Sequence, residues 1–243
     1  QIAKKGNELT ILMYHSIARP ANGEAGARRY CVPTDEFRKQ MEYVCYRLST
    51  IDHRPIIITF DDGDITNYQY AYPILKNNGL KAYFFILVSK VGTNGYMDWK
   101  QLKELSAAGM TIGSHGLTHR ILTTLNDDEL GYELRESKKI LEENLKCSIK
   151  YLSIPRGFYN QKVIAKAKDA GYKAVFTSNP KDSDSYKLGR IPVKGSWDLA
   201  YFKKILNNGL SLKDKAGELF KNSSKTILGP KHYDRIRTAL LKK

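Results

Sequence analysis

The sequence predicts an α/β fold in which parallel strands alternate with helices. Three observations predict it. Strand-like and helix-like segments alternate along the chain, and the run Ile56-Ile57-Ile58 lacks polar alternation, as a strand covered on both faces should. Four polar clusters each follow directly on an apolar run. In parallel architectures the carboxyl ends of the strands face one side, and sites are built there.

Leu9 to Tyr14 reads as the first strand. Thr34 then caps a helix whose Phe37, Met41, Val44, Cys45 and Leu48 share a face. Ile56 to Phe60 is the next strand, Asn67 to Asn78 a helix closed by Gly79, and Ala82 to Val88 a strand. Asp98 caps Trp99 to Ala108, and Met110 to Ile112 is a short strand. Asp127 opens a long helix striped by Leu130, Leu134, Leu141 and Leu145. Tyr151 to Ile154, Asn160 to Ala170 and Tyr172 to Phe176 read as strand, helix and strand, with Arg190 to Val193 as a last strand. About seven β units with helices between most of them favour an α/β barrel or a doubly wound sheet.

At 243 residues and 42% apolar, the chain is large enough for a real core and too hydrophobic for a disordered one. No apolar run approaches the roughly 20 residues of a membrane-spanning helix. The net charge of +15 invites polyanions. It is uneven: residues 198–243 hold eleven Lys and Arg against four Asp and Glu. No nucleic-acid motif accompanies the charge, so no nucleic-acid partner is expected. An anionic membrane or polymer surface is the expected partner of the basic tail. Cys31, Cys45 and Cys147 have no CxxC spacing, so neither a disulfide framework nor a thiolate metal site is expected. The odd cysteines and the tail suit a cytoplasmic membrane face.

The polar clusters are Tyr14-His15, Asp61-Asp62-Gly63-Asp64, Ser114-His115 with His119, and Pro155-Arg156-Gly157. Spaced i, i+4, His115 and His119 offer two imidazoles to one ion, and a carboxylate from Asp61-Asp62 completes a two-His, one-carboxylate set. Two adjacent carboxylates after an apolar strand repel unless a cation lies between them. One would then bind a divalent ion, with zinc expected, and its neighbour would take a proton from an activated water.

These residues resemble the polysaccharide deacetylases with the NodB homology domain, carbohydrate esterase family 4. Thr59-Phe60-Asp61-Asp62-Gly63 matches the family's TFDDG motif, and Ser114-His115-Gly116-Leu117-Thr118-His119 its SHxxxH motif. Ser153 to Asn160 looks like the third motif, and Leu12 to Ile17, Ala71 to Leu75 and Leu188 to Pro192 continue the likeness over roughly residues 9 to 195. The Tyr14-His15 pair resembles the branch acting on poly-N-acetylglucosamine and lipid-linked sugars, and many members of the family are exported.

The resemblance implies a distorted (β/α)7 barrel, expected over residues 1–197; after Trp197 the β signal stops, and the basic, weakly amphipathic pattern reads as a helical extension over 198–243. It implies removal of N-acetyl groups from amino sugars of a cell-surface glycan. Asp61 is then the general base, Asp62, His115 and His119 the metal ligands, and the Arg156 backbone N–H the oxyanion donor. Tyr14, Pro155, Gly157 and Arg190 are expected beside the substrate. Asp64, Asn67 and Arg190 are expected to line or brace the site, with a loop-capping role the alternative for each.

Two departures stand out. The Arg that leads the third motif in many members, where it steadies the catalytic Asp, is Ser153 here. No late-barrel histidine is available as general acid: after His119 comes only His232. His53 precedes a strand, at the far end of the barrel, whereas His15 follows one, so His15 is expected to protonate the leaving amine. Trp99, Phe158 and Trp197, with Tyr14, are candidate sugar platforms, although aromatics beside strand ends more often pack in cores. Competing functions are deacylation of a lipid-linked or lipopolysaccharide sugar, and a non-catalytic glycan- or polyanion-binding module.

Overall fold

A computed structural model describes residues 9–18, 29–50 and 55–209, and the isolated positions 229, 232, 233 and 235. The strands are β1 (Thr10–Tyr14), β2 (Ser16–Ala18), β3 (Cys31–Pro33), β4 (Ile56–Phe60), β5 (Ala82–Ile86), β6 (Thr111–Ser114), β7 (Tyr151–Ser153), β8 (Ala174–Thr177), β9 (Lys187–Gly189) and β10 (Ile191–Pro192). The helices are α1 (Thr34–Ser49), α2 (Tyr72–Asn77), α3 (Trp99–Ala107), α4 (Asp127–Leu145), α5 (Gln161–Asp169) and α6 (Leu199–Asn208).

Eight strands form one sheet in the order β10-β1-β4-β5-β6-β7-β8-β9, with every neighbouring pair parallel. The two strands at its edges are consecutive in the chain, separated by Arg190 alone. Lys187–Gly189 pairs with β8, and Ile191–Pro192 pairs with β1. One run of chain, broken at Arg190, therefore closes the ring. Counting it as a single strand gives the seven of a distorted (β/α)7 barrel. β2 and β3 form a separate parallel ribbon beside it.

Two apolar layers follow from this closure. The larger lies between the barrel wall and the helices, built from Leu12, Phe60, Phe84, Leu102, Leu134 and their neighbours. The smaller fills the barrel itself with Ile11, Phe85, Ala174, Phe176 and Leu188. The interior is tight. A Cβ on Gly113 would lie 2.6 Å from two atoms of the Phe85 ring and 3.0 Å from the Tyr151 carbonyl oxygen. Strands lined on both faces by such layers need no polar alternation, which is what the Ile56–Phe60 run shows.

Local chemistry accounts for most helix starts. Asp98 with Gln101, and Asn126 with Glu129, form reciprocal capping boxes, and Asn160 and Asp198 cap α5 and α6. α4 opens at Asp127 as expected, with Asn126 as its cap. Two expected boundaries change, those of α1 and of the Asn67–Asn78 helix. Pro33, not Thr34, precedes α1, because Thr34 already belongs to the helix. The expected Asn67–Asn78 helix begins as a π-helical turn, Asn67–Ala71, before α2. β9 has no counterpart among the expected strands; three residues long, it falls below any periodicity signal.

α6, the start of the expected extension, buries Phe202, Ile205 and Leu206. Arg47 of α1 donates to its Asn207 Oδ1 at 2.7 Å. The rest of the expected extension lies outside the described residues, apart from four isolated positions, and so does His53. Among the described residues no helix is long and apolar enough to cross a membrane.

Candidate active site

The site begins with Asp61, directly after β4 and 2% exposed. Arg190 holds it from the break between β9 and β10. Its two terminal nitrogens donate to Oδ1 at 2.7 Å and to Oδ2 at 2.8 Å. The guanidinium also donates to Thr59 Oγ1, Ser153 Oγ and the Thr177 carbonyl, and it lies over the Phe85 and Phe176 rings that fill the barrel. Ser153 Oγ donates to Asp61 Oδ2 at 3.1 Å. Burial by itself would raise the Asp61 pKa. The Arg190 charge, the nearby His115 and the guanidinium hydrogen bonds outweigh it and hold the carboxyl well below the usual carboxylate range.

Asp62, His115 and His119 come together beside this pair. One ligand atom from each lies within 4.8 Å of the others. Asp62 Oδ1 is 3.4 Å from His115 Nε2 and 3.5 Å from His119 Nε2. The Nδ1 of His115 lies 3.0 Å from the Ser153 carbonyl oxygen. A carbonyl only accepts, so Nδ1 carries a proton, and Nε2 is the nitrogen that faces Asp62. Burial, with His115 alongside, pushes the His119 pKa down to about 4, leaving a neutral imidazole at neutral pH. Two imidazoles and one carboxylate facing a common point fit a divalent ion with open positions.

Strain gathers at the same place. Four non-glycine residues have positive φ among the described residues, and three of them are Asp62 (72°), His119 (62°) and Arg156 (59°). Each costs about 1–2 kcal/mol against the ordinary conformation. The fourth, Lys146, merely ends α4.

The remaining expected residues divide. His15 stacks on Tyr30, and its buried Nδ1 has no hydrogen-bond partner among the described residues. Burial lowers the His15 pKa, while Asp62 and Asp61 oppose that shift. Pro155, Arg156 and Gly157 form a short 3-10 turn after β7. Tyr14 does not reach the site. It is fully buried between Phe37 and Phe60, its hydroxyl donates to Gln40 at 2.8 Å, and burial raises its pKa well above the ordinary value. As an apolar ring at the end of an inner strand, it serves the core. Arg190, expected beside the substrate or as a brace of the site, turns its guanidinium to Asp61.

Phe158 and Trp197 are buried and Trp99 packs against the core, so none offers an open platform. Asp64 accepts from the Thr66 backbone and hydroxyl, as a turn brace does, and Asn67 is fully buried. Sequence reasoning missed the Arg190–Asp61 pair and the Ser153 carbonyl on His115. The one available signal was Arg190 itself, a lone charge between two short apolar runs.

Fold and site together define a class: a parallel α/β barrel with a clamped carboxylate next to a carboxylate–imidazole trio at the strand ends. A polysaccharide deacetylase family model matches residues 49–175. A Bacillus subtilis protein described as a polysaccharide deacetylase is 31% identical over 210 residues, covering 78% of this chain and 73% of that one. The poly-β-1,6-N-acetyl-D-glucosamine N-deacetylase of Staphylococcus aureus is 31% identical over 230 residues, covering 77% and 79%. A Streptococcus pyogenes deacetylase, solved with acetate, superposes with a TM-score of 0.72 at 26% identity, covering 84% of this chain and 98% of that one. The chain belongs to the polysaccharide deacetylase family and is a carbohydrate N-deacetylase.

Proposed function

We propose that the chain hydrolyses the acetamide of N-acetylated amino sugars in a cell-surface glycan, with Asp62, His115 and His119 holding a divalent ion, most suitably zinc. The observation that carries this reading is the trio's common focus beside a second, separately clamped carboxylate. When bound, the ion supplies Lewis acidity that activates a water and polarises the acetamide carbonyl.

The chain's own residues do the rest. Asp61 takes the proton of the attacking water. Its oxygens accept three hydrogen bonds from Arg190 and Ser153, while a carboxylate has about four acceptor sites, so one remains for water. The Arg156 N–H donates to the carbonyl oxygen as it gains charge. His15 in its protonated form, which Asp62 and Asp61 favour against burial, gives its proton to the nitrogen as the C–N bond breaks, and Pro155 and Gly157 shape the acetyl pocket. The catalytic unit is residues 1–197, with 198–243 a basic extension drawn to anionic polymer or lipid by its charge.

Acetate release from N-acetylated glucosamine oligomers, with and without chelator, tests the reading. Loss on chelation, recovery with zinc, and loss in Asp61→Asn and Asp62→Ala are expected. Full turnover in a metal-free Asp62→Ala protein would sink it. A His15→Ala variant that keeps both metal and turnover would remove His15 from the mechanism. Comparing lipid-linked with polymeric substrate separates a glycan deacetylase from a deacylase of lipid-linked sugars.

A further inference from the structure

We propose that Glu133 is a positioning residue, which sets the geometry of the 115–119 loop and through it the affinity of the site for its metal. The inference rests on the reading of Asp62, His115 and His119 as ligands. Glu133 lies in the second turn of α4 and is 3% exposed. Both its carboxylate oxygens are spent on a single residue. The Thr118 N–H donates to Oε1 at 2.6 Å, and the Thr118 hydroxyl donates to Oε2 at 2.9 Å. Thr118 immediately precedes His119, whose φ of 62° persists only where its surroundings enforce it.

The rest of the loop is pinned as well. The Gly116 and Leu117 carbonyls accept from the Val88 and Ser89 N–H groups at 3.2 and 2.9 Å. The Gly116 N–H donates to Ser114 Oγ, which in turn donates to Ser137 Oγ, one turn along α4 from Glu133. At Gly116 a Cβ would meet Glu133 Oε1 and Pro155 Cγ, each at 3.2 Å, so the loop closes against the carboxylate with no spare room.

A buried carboxylate is a costly way to hold a surface turn. What it supplies is two strong, charge-assisted acceptors in a fixed plane, matched to a backbone N–H and a hydroxyl one residue from a ligand. Glu133 thus acts on the backbone that carries His119 rather than on either imidazole. Removing an outer partner of a metal ligand typically weakens metal binding by about 10–100-fold.

The test is zinc affinity, read by competition with a chromogenic chelator, and the cobalt(II) absorption spectrum. The proteins are wild type, Glu133→Gln, Thr118→Val, Thr118→Ser and Asp62→Ala. Glu133→Gln keeps the size but only one acceptor oxygen, and is expected to weaken zinc binding by about 10–100-fold with an altered cobalt spectrum. Thr118→Val is expected to move the same way, and Thr118→Ser, which keeps the hydroxyl, to stay near wild type. If Glu133→Gln does not fold, the exposed position 118 carries the test. Wild-type affinity and spectrum in both Glu133→Gln and Thr118→Val overturn the proposal. Equal loss in Thr118→Ser and Thr118→Val overturns the hydroxyl route. Tight zinc binding by Asp62→Ala sinks instead the ligand reading beneath it.

Discussion

Arg190 and Asp61 show how much one buried contact carries. Their side chains are 1% and 4% exposed, and the pair is closed by two parallel hydrogen bonds. Removing one partner of such a pair strands the other charge, at a cost of about 3–5 kcal/mol. Arg190→Met is therefore expected to lower unfolding free energy by about 3–5 kcal/mol in chemical denaturation and to abolish acetate release. Arg190→Lys will not rescue it, because an ammonium is a point donor that cannot meet both carboxylate oxygens, Ser153 and the Thr177 carbonyl together. Ser153 makes sense in this setting. Its hydroxyl donates to the same carboxylate and accepts from Arg190, which arrives from the β9–β10 break. Asp61, Asp62, His115 and His119 were readable because each sits in a dense local motif. Arg190's partner was not, since 129 residues separate it from Asp61.

At the scale of elements, most caps were legible, and of the short strands β7 and β10 were readable while β2, β3 and β9 were not. Asp98 and Asn160 announce their helices because capping is a contact between residues two or three apart. Asn126→Ala removes a reciprocal box and is expected to cost about 1 kcal/mol by thermal denaturation. It also loosens the end of α4 that presents Glu133, so its zinc affinity should fall more than that of an Asp198→Ala control, whose helix α6 packs on α1 instead. Gly113 makes a harder demand on β6. Gly113→Ala drives a methyl into the Phe85 ring, which is packed 4.9 Å centroid to centroid from Phe176. Overpacking of this kind costs about 1–3 kcal/mol, measurable as a lower denaturation midpoint. Nothing in the local sequence marks Gly113 as a packing position, because the ring it faces comes from the neighbouring strand.

For the whole molecule, the barrel's closure decides the chemistry. β9 and β10 pair with β8 and β1, so the run that closes the ring is also the one that carries Arg190 to Asp61. Zinc that binds the native state alone adds stability by mass action, about 2.7 kcal/mol at a hundred times its dissociation constant. The melting temperature of the wild type should therefore rise with zinc and that of Asp62→Ala should not, as calorimetry can check. The sequence by itself determined the fold class, most helix starts, the two aspartates and two histidines of the trio and its neighbour, and the family, because all of these are written in contiguous motifs and short-range periodicity. The tertiary structure alone decided that Tyr14 belongs to the core, that Arg190 clamps Asp61 and that Glu133 reaches Thr118. Those contacts depend on which strands and helices become neighbours when the ring closes, and a side chain's partner across that closure leaves no trace in the residues beside it.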